Sequence, residues 1–130
     1  MIPKFTTEGL VRLDGRSLSL GEFERVARNT RPPRVALIGP ARQTMRRSEA
    51  LVRRIIASGD TVYGISTGFG RMADVKVGGQ QSVMLQRNLI LSHAAGVGPP
   101  CTRSEVRGMM LLRLNLLAKG YSGVRAVVAN

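Results

Sequence analysis

The stretch from Glu105 to Gly120, EVRGMMLLRLNLLAKG, constrains this chain more than any other. Its apolar residues recur at helical spacing yet fall on nearly every face. A helix that is apolar all round is buried on all sides rather than laid on a surface. The rest of the 130 residues has room for one ordinary domain, with few further helices to surround this one. The pattern therefore predicts a mainly α chain whose last long helix needs partners, either other subunits or sequence beyond Asn130. The closing GVRAVVAN reads as the start of another helix, so the chain reads as truncated.

Upstream, GLVRL (residues 9–13) alternates weakly and predicts a short strand, with DGRS as the turn after it. SLSLGEFERVARN predicts a short helix capped by Ser19, with Leu20, Phe23 and Val26 inward. Pro32-Pro33 stops it, and RVALI is at most a second short strand. From Ala41 to Ser58, Met45, Val52, Ile55 and Ile56 recur at helical spacing, and Gly59 stands where a C-cap belongs. A third helix is predicted over about 80–95 and a fourth over about 104–119.

Composition enters where it excludes functions. One cysteine, Cys101, and one histidine, His93, build neither a disulfide framework nor a metal site, so no metal is expected. No apolar run approaches membrane-spanning length, and MIPKFTTEGL lacks the features of a signal peptide; a cytoplasmic protein with no membrane partner is expected. The net charge of +12 raises nucleic acid as a partner. The arginines are scattered, though, and no aromatic residues interleave with them to stack bases. A basic nucleic-acid-binding module therefore ranks last among the functional readings.

Two stretches are placed to do chemistry. In VYGISTGFG, Val62 to Gly70, glycines at 64, 68 and 70 permit a loop that bends sharply or closes over something. A phenol on such a loop, Tyr63, can serve as an acid or base, or can simply pack at a helix–loop junction. A phosphate-binding loop is excluded, because Arg71-Met72 follow the last glycine where Lys and Ser or Thr are needed. In LQRNLILSHAAGVGPP, Ser92 and His93 close an apolar helix, and polar groups in that position are expected to bond something.

VYGISTGFG, LQRNLILSHAAGVG and LLRLNLLAKGYSGVR, in that order from about Thr61 to Arg125, resemble the N-terminal portion of the histidine and phenylalanine ammonia-lyase family. The resemblance implies the helical ammonia-lyase (fumarase/aspartase-like) fold with one or two short N-terminal strands. It implies a homotetramer with shared active sites, and non-oxidative removal of ammonia from an aromatic amino acid. Tyr63 matches the loop tyrosine that takes the β-proton, and Gly70 a glycine near the substrate. Ser92-His93 resembles the pair carried by histidine-specific members, where other members carry His-Leu or Phe-Leu. An imidazole can hydrogen-bond a substrate imidazole, whereas an apolar pair suits a phenyl ring. L-Histidine is thus the expected substrate, with phenylalanine or tyrosine as the alternative.

Two departures qualify the match. Ser66 stands where histidine-specific members have asparagine. More consequentially, the family's electrophile is a methylidene-imidazolone made from an Ala-Ser-Gly tripeptide that lies well after the tyrosine. The Ala57-Ser58-Gly59 of this chain precedes Tyr63 and reads as a helix stop, a decoy for the cofactor precursor. Residues 1–130 are therefore expected to be a single N-terminal domain or fragment, without the electrophile-bearing core and C-terminal part. Alone it is expected to be inactive, since no leaving-group activation is available to a lone tyrosine base. The rival is a non-catalytic helical module that associates through exposed apolar helices.

Overall fold

The computed structural model of the chain describes residues 9–68 and 79–129, with the side chains of 79–82 outside the description. The chain divides into two compact units, Met1–Ala50 with Pro100–Asn130, and Leu51–Pro99. In order the elements are β1 (Leu10–Leu13), α1 (Leu20–Arg28), β2 (Arg34–Leu37), α2 (Gly39–Ser58), α3 (Gly79–His93) and α4 (Arg103–Ala118), followed by a 3₁₀ turn at Ala126–Ala129. The mainly helical architecture with two short strands matches the expectation.

In the first unit, β1 and β2 pair in parallel, with Leu10 opposite Arg34 and Leu13 opposite Leu37. Parallel neighbours need a crossover, which α1 supplies. Ser19 caps α1 as expected, within a reciprocal box. Ser19 Oγ accepts from Glu22 N at 3.3 Å, and the Glu22 carboxylate accepts from Ser19 N at 2.9 Å. Val26 and Ala27 are buried and Phe23 partly so, but Leu20 is 75% exposed. Leu20 was expected inward; as the first helical residue it shares the face of Phe23 and Ala27 but stands a turn before them, where the core does not reach.

The core of this unit gathers Val11, Leu13, Val26, Leu37, Ala41, Met45, Leu111, Leu117 and Ala118. Helix α4 reaches it through a notch. A Cβ at Gly108 would stand 2.9 Å from Phe23 Cζ, so the lack of a side chain lets α1 and α4 approach. Arg107 adds a bond from its guanidinium to the Asn29 carbonyl at the end of α1, 2.9 Å. Gly120 ends α4 at φ +75°, with its N–H on the Leu117 carbonyl at 2.9 Å, and a Cβ there would collide with Thr44. Gly123 N then donates to Ser48 Oγ at 3.0 Å, fastening the chain after α4 to α2.

All-round burial of α4 is not what these residues achieve. Gly108, Leu111, Leu117 and Ala118 are buried, while Met109, Met110, Leu112 and Leu116 are 46–60% exposed. The two neighbours α1 and β1 can cover one face of a cylinder, and a second apolar face stays open. Cavities follow the same logic. An apolar groove of about 550 Å³, lined by Leu13, Leu37, Met110, Arg113 and Leu117 among others, runs along that helix. The GVRAVVAN segment forms only the 3₁₀ turn rather than an α-helix.

Helix α4 starts at a second reciprocal box, in which Thr102 N and Oγ1 both lie 2.7 Å from Glu105 Oε2. The Thr102 hydroxyl and then its backbone N–H hold the Glu105 carboxyl below its usual 4.5. Three bonds from Ser17 N, Arg16 N and Ser17 Oγ take Asp14 down to about 2. A carboxyl lowered on folding stabilises the native state above its unfolded value, and that contribution is lost as pH falls through the folded value. Thr102→Ala is expected to cost about 1 kcal/mol in denaturant unfolding at neutral pH. It is also expected to flatten the loss of helicity as pH falls below the usual carboxylate range, read by circular dichroism; an unchanged acid limb would show that the box does not matter.

Candidate functional site

Every site residue singled out from the sequence belongs to the second unit, Leu51–Pro99. Helix α2 ends there at Ser58, and Gly59 takes φ +74°, the left-handed residue that stops a helix. Ser58 Oγ lies 3.0 Å from the Ile55 carbonyl and 2.6 Å from Asp60 Oδ2. The Ala57-Ser58-Gly59 tripeptide is thus occupied as a helix terminus, its serine hydroxyl engaged within the last turn. These residues do not fit a methylidene-imidazolone precursor, which must give up that hydroxyl.

The turn that follows is built by hydroxyls. Ser66 Oγ accepts from Val62 N at 2.9 Å and donates to the Asp60 carbonyl. The backbone N–H groups of Ile65 and Ser66 both reach the Val62 carbonyl, at 3.1 and 3.0 Å. Thr67, only 3% exposed, accepts from Gly64 N at 3.4 Å and donates to the Gly68 carbonyl at 3.1 Å. Gly64 adopts φ +73°, which permits the tight reversal directly after the tyrosine. Tyr63 itself is 65% exposed at the apex. The sequence marked Ser66 only as a departure from a pattern; the structure makes it the brace between the two sides of Tyr63. An asparagine amide also combines an acceptor with donors, so either residue can accept from one backbone group and donate to another.

Helix α3 carries the other pair. Ser92 and His93 occupy its last turn, both exposed. His93 Nδ1 lies 2.8 Å from the Leu89 carbonyl and 3.0 Å from Ser92 Oγ, and Ser92 Oγ lies 3.0 Å from the same carbonyl. The expectation that these polar groups bond something is met, and their partner is the helix's own backbone. Around them Val83, Met84, Ile90 and Leu91 stand 62–71% exposed, with Leu85 and Leu89 half-buried. Gly70 lies outside the described residues. Among the described residues no cluster of three or more His, Cys, Asp or Glu could hold a metal ion, and no helix is long and apolar enough to cross a membrane.

Comparison with known proteins gives this geometry a context. Residues 18–130 match the family model described as aromatic amino acid lyase. The chain is similar to histidine ammonia-lyase of Geobacillus thermodenitrificans, 46% identical over 119 residues, which are 92% of this chain and 23% of that one. It is similar to histidine ammonia-lyase of Anaeromyxobacter dehalogenans, 50% identical over 113 residues, 87% of this chain and 22% of the other. Among solved structures it resembles histidine ammonia-lyase of Trypanosoma cruzi, with a TM-score of 0.84 and 34% identity over 92% of this chain and 23% of that chain. It resembles tyrosine aminomutase of Streptomyces globisporus equally, at 0.83 and 34%, over 92% and 22%. The chain therefore spans just under a quarter of the length of the curated relatives it matches.

The turn supplies a prediction of its own. Ser66→Ala removes an acceptor from Val62 N and a donor to Asp60 O, and is expected to speed amide exchange and proteolytic cleavage at residues 61–68 severalfold, with the far-ultraviolet spectrum unchanged. Exchange identical to that of the parent would show that the hydroxyl braces nothing.

Proposed function

The chain belongs to the aromatic amino acid lyase family, and from that premise we propose that it serves non-oxidative deamination of L-histidine, giving urocanate and ammonia. The observation that carries the proposal is the conjunction, inside the family match, of Tyr63 raised on a braced turn with Ser92-His93 closing α3. Tyr63 is the base that removes a β-proton as the carbon–nitrogen bond breaks and the α,β double bond forms. The Ser92-His93 pair faces the ring of the substrate, and Gly70 lies near it. The family's methylidene-imidazolone would activate the departing amine; Ala57-Ser58-Gly59 does not supply it, so the isolated chain is inactive.

Histidine is preferred over the other aromatic amino acids because of the imidazole at 93 and because the curated relatives named above are histidine ammonia-lyases. Structural similarity does not separate the alternatives, since a tyrosine aminomutase matches as well as a histidine ammonia-lyase does. A lyase acting on tyrosine or phenylalanine is the second reading. The open apolar face of α4, with Met109, Met110 and Leu112 more than half exposed, supports a homo-oligomer, a tetramer by family, or completion by further sequence as one N-terminal domain. The same face supports the rival reading, a non-catalytic association module. A cytoplasmic location accompanies the enzymatic reading.

The test is a chimera in which residues 18–130 replace the matching stretch of the Geobacillus thermodenitrificans enzyme. Urocanate absorbance should rise with L-histidine, and Tyr63→Phe should lower kcat by about 10² to 10⁴ with KM little changed. The unfused chain should produce none. Full turnover by the Tyr63→Phe chimera would remove the proposed base, and turnover by the unfused chain would remove the claim of inactivity.

A further inference from the structure

The bonding at the end of α3 carries a consequence for how a substrate ring is read, and it rests on the lyase reading above. A carbonyl oxygen can only accept, so the 2.8 Å approach of His93 Nδ1 to Leu89 O requires the proton on Nδ1. The Ser92 hydroxyl is compatible with that arrangement alone. It donates to Leu89 O at 3.0 Å, which leaves its lone pairs toward Nδ1–H, also at 3.0 Å. Were Nδ1 the acceptor, its lone pair would face the carbonyl oxygen at hydrogen-bond distance. Of the two neutral forms of the ring, only the one protonated at Nδ1 satisfies all three short distances together.

We propose that the Leu89 carbonyl and the Ser92 hydroxyl hold neutral His93 as its Nδ1–H tautomer, which leaves Nε2 on the opposite edge of the exposed ring as a hydrogen-bond acceptor selecting substrates whose own ring carries an N–H or O–H donor. Free histidine favours the other tautomer in water, so the site reverses the intrinsic preference. The consequence is directional. An imidazole N–H or a phenol O–H can donate to Nε2, whereas a phenyl ring offers it no donor. Ser92 touches no substrate in this account; it is a positioning residue that acts through the ring beside it. Leu89 contributes only its backbone, which is why its role is invisible in the side-chain pattern.

His93 is the single histidine of the chain, so histidine-selective ¹⁵N labelling reports this ring without ambiguity. Long-range proton–nitrogen spectra of the neutral ring are expected to show Nδ1 in the protonated, pyrrole-like range and Nε2 in the unprotonated, pyridine-like range. Ser92→Ala is expected to shift the population toward the Nε2–H form. A ring already dominated by Nε2–H in the parent chain overturns the proposal. In the chimera described above, glutamine at 93 can present its amide oxygen near the place of Nε2, while asparagine reaches only the place of Nδ1. His93→Gln should therefore keep kcat/KM for L-histidine within about tenfold of the parent, and His93→Asn should lose at least about tenfold more. Equal losses in the two variants overturn the acceptor role. Failure of the lyase reading shows itself differently, as a parent chimera inactive on L-histidine, L-tyrosine and L-phenylalanine alike while the nitrogen shifts remain as expected; that result overturns the selection of substrate and leaves the tautomer standing.

Discussion

Everything ordered in the first unit depends on α4 coming close enough to α1 for Leu111 and Leu117 to enter a shared core. The notch at Gly108 is what permits it, with Phe23 filling the space a side chain would take. Interiors are packed tightly enough that even one extra carbon must displace something. The sheet is too small to help much. Two parallel strands of four residues present few ladder bonds and two open edges, so they persist because Val11, Leu13 and Leu37 are buried against helices. Burying one such side chain contributes roughly 1.5–3 kcal/mol, enough that a handful decides whether the strands form.

The second unit is organised by a different force. Around Tyr63 the turn is held by Ser66 and Thr67 hydroxyls bonded to backbone groups rather than by apolar packing. Hydrogen bonds of this kind are directional and individually modest, about 1 kcal/mol net. They fix a backbone path without enclosing the side chain it displays. The Tyr63 side chain stays largely exposed while the backbone that carries it is constrained. The helix-terminating role of Ala57-Ser58-Gly59 belongs to the same design: it ends α2 just before the turn begins.

Local chemistry was legible in the sequence where one or two residues decide the outcome. Ser19 as a helix cap, and Gly59 after Ser58, act within four residues of themselves, so their roles survive any tertiary context. The pairing of β1 with β2 was not legible, because parallel register is settled across a crossover and nothing in LVRL or RVAL encodes it locally. Leu20 was misread because periodicity gives the face a residue lies on and not where along the helix the packing begins. The composition of α4 correctly announced a helix with more apolar surface than its neighbours cover, but could not say which face would be taken. At the site, Tyr63, Ser92 and His93 stood out as side chains of the right type, while the turn-bracing part of Ser66 and the Leu89 carbonyl did not. Backbone groups carry no sequence signature, and a serine in a loop has many ordinary uses.

These two modes of holding the chain bear on where chemistry can reside. Stability is not uniform within a domain, and segments with few buried apolar contacts open most readily. Residues that act on a ligand are drawn from such segments, since a side chain locked in a core has nothing left to bind. The distribution here follows that rule. Val11, Leu13, Met45 and Leu111 are almost fully buried and have no proposed role in chemistry, while Tyr63 and His93, for which such roles are proposed, are exposed and sit beside backbone and hydroxyl bonds. A mutation in the first set acts through folding, and one in the second acts through geometry at a single ring. The separation makes the two kinds of defect distinguishable by experiment: loss of helicity marks the former, and altered bonding at an intact fold marks the latter.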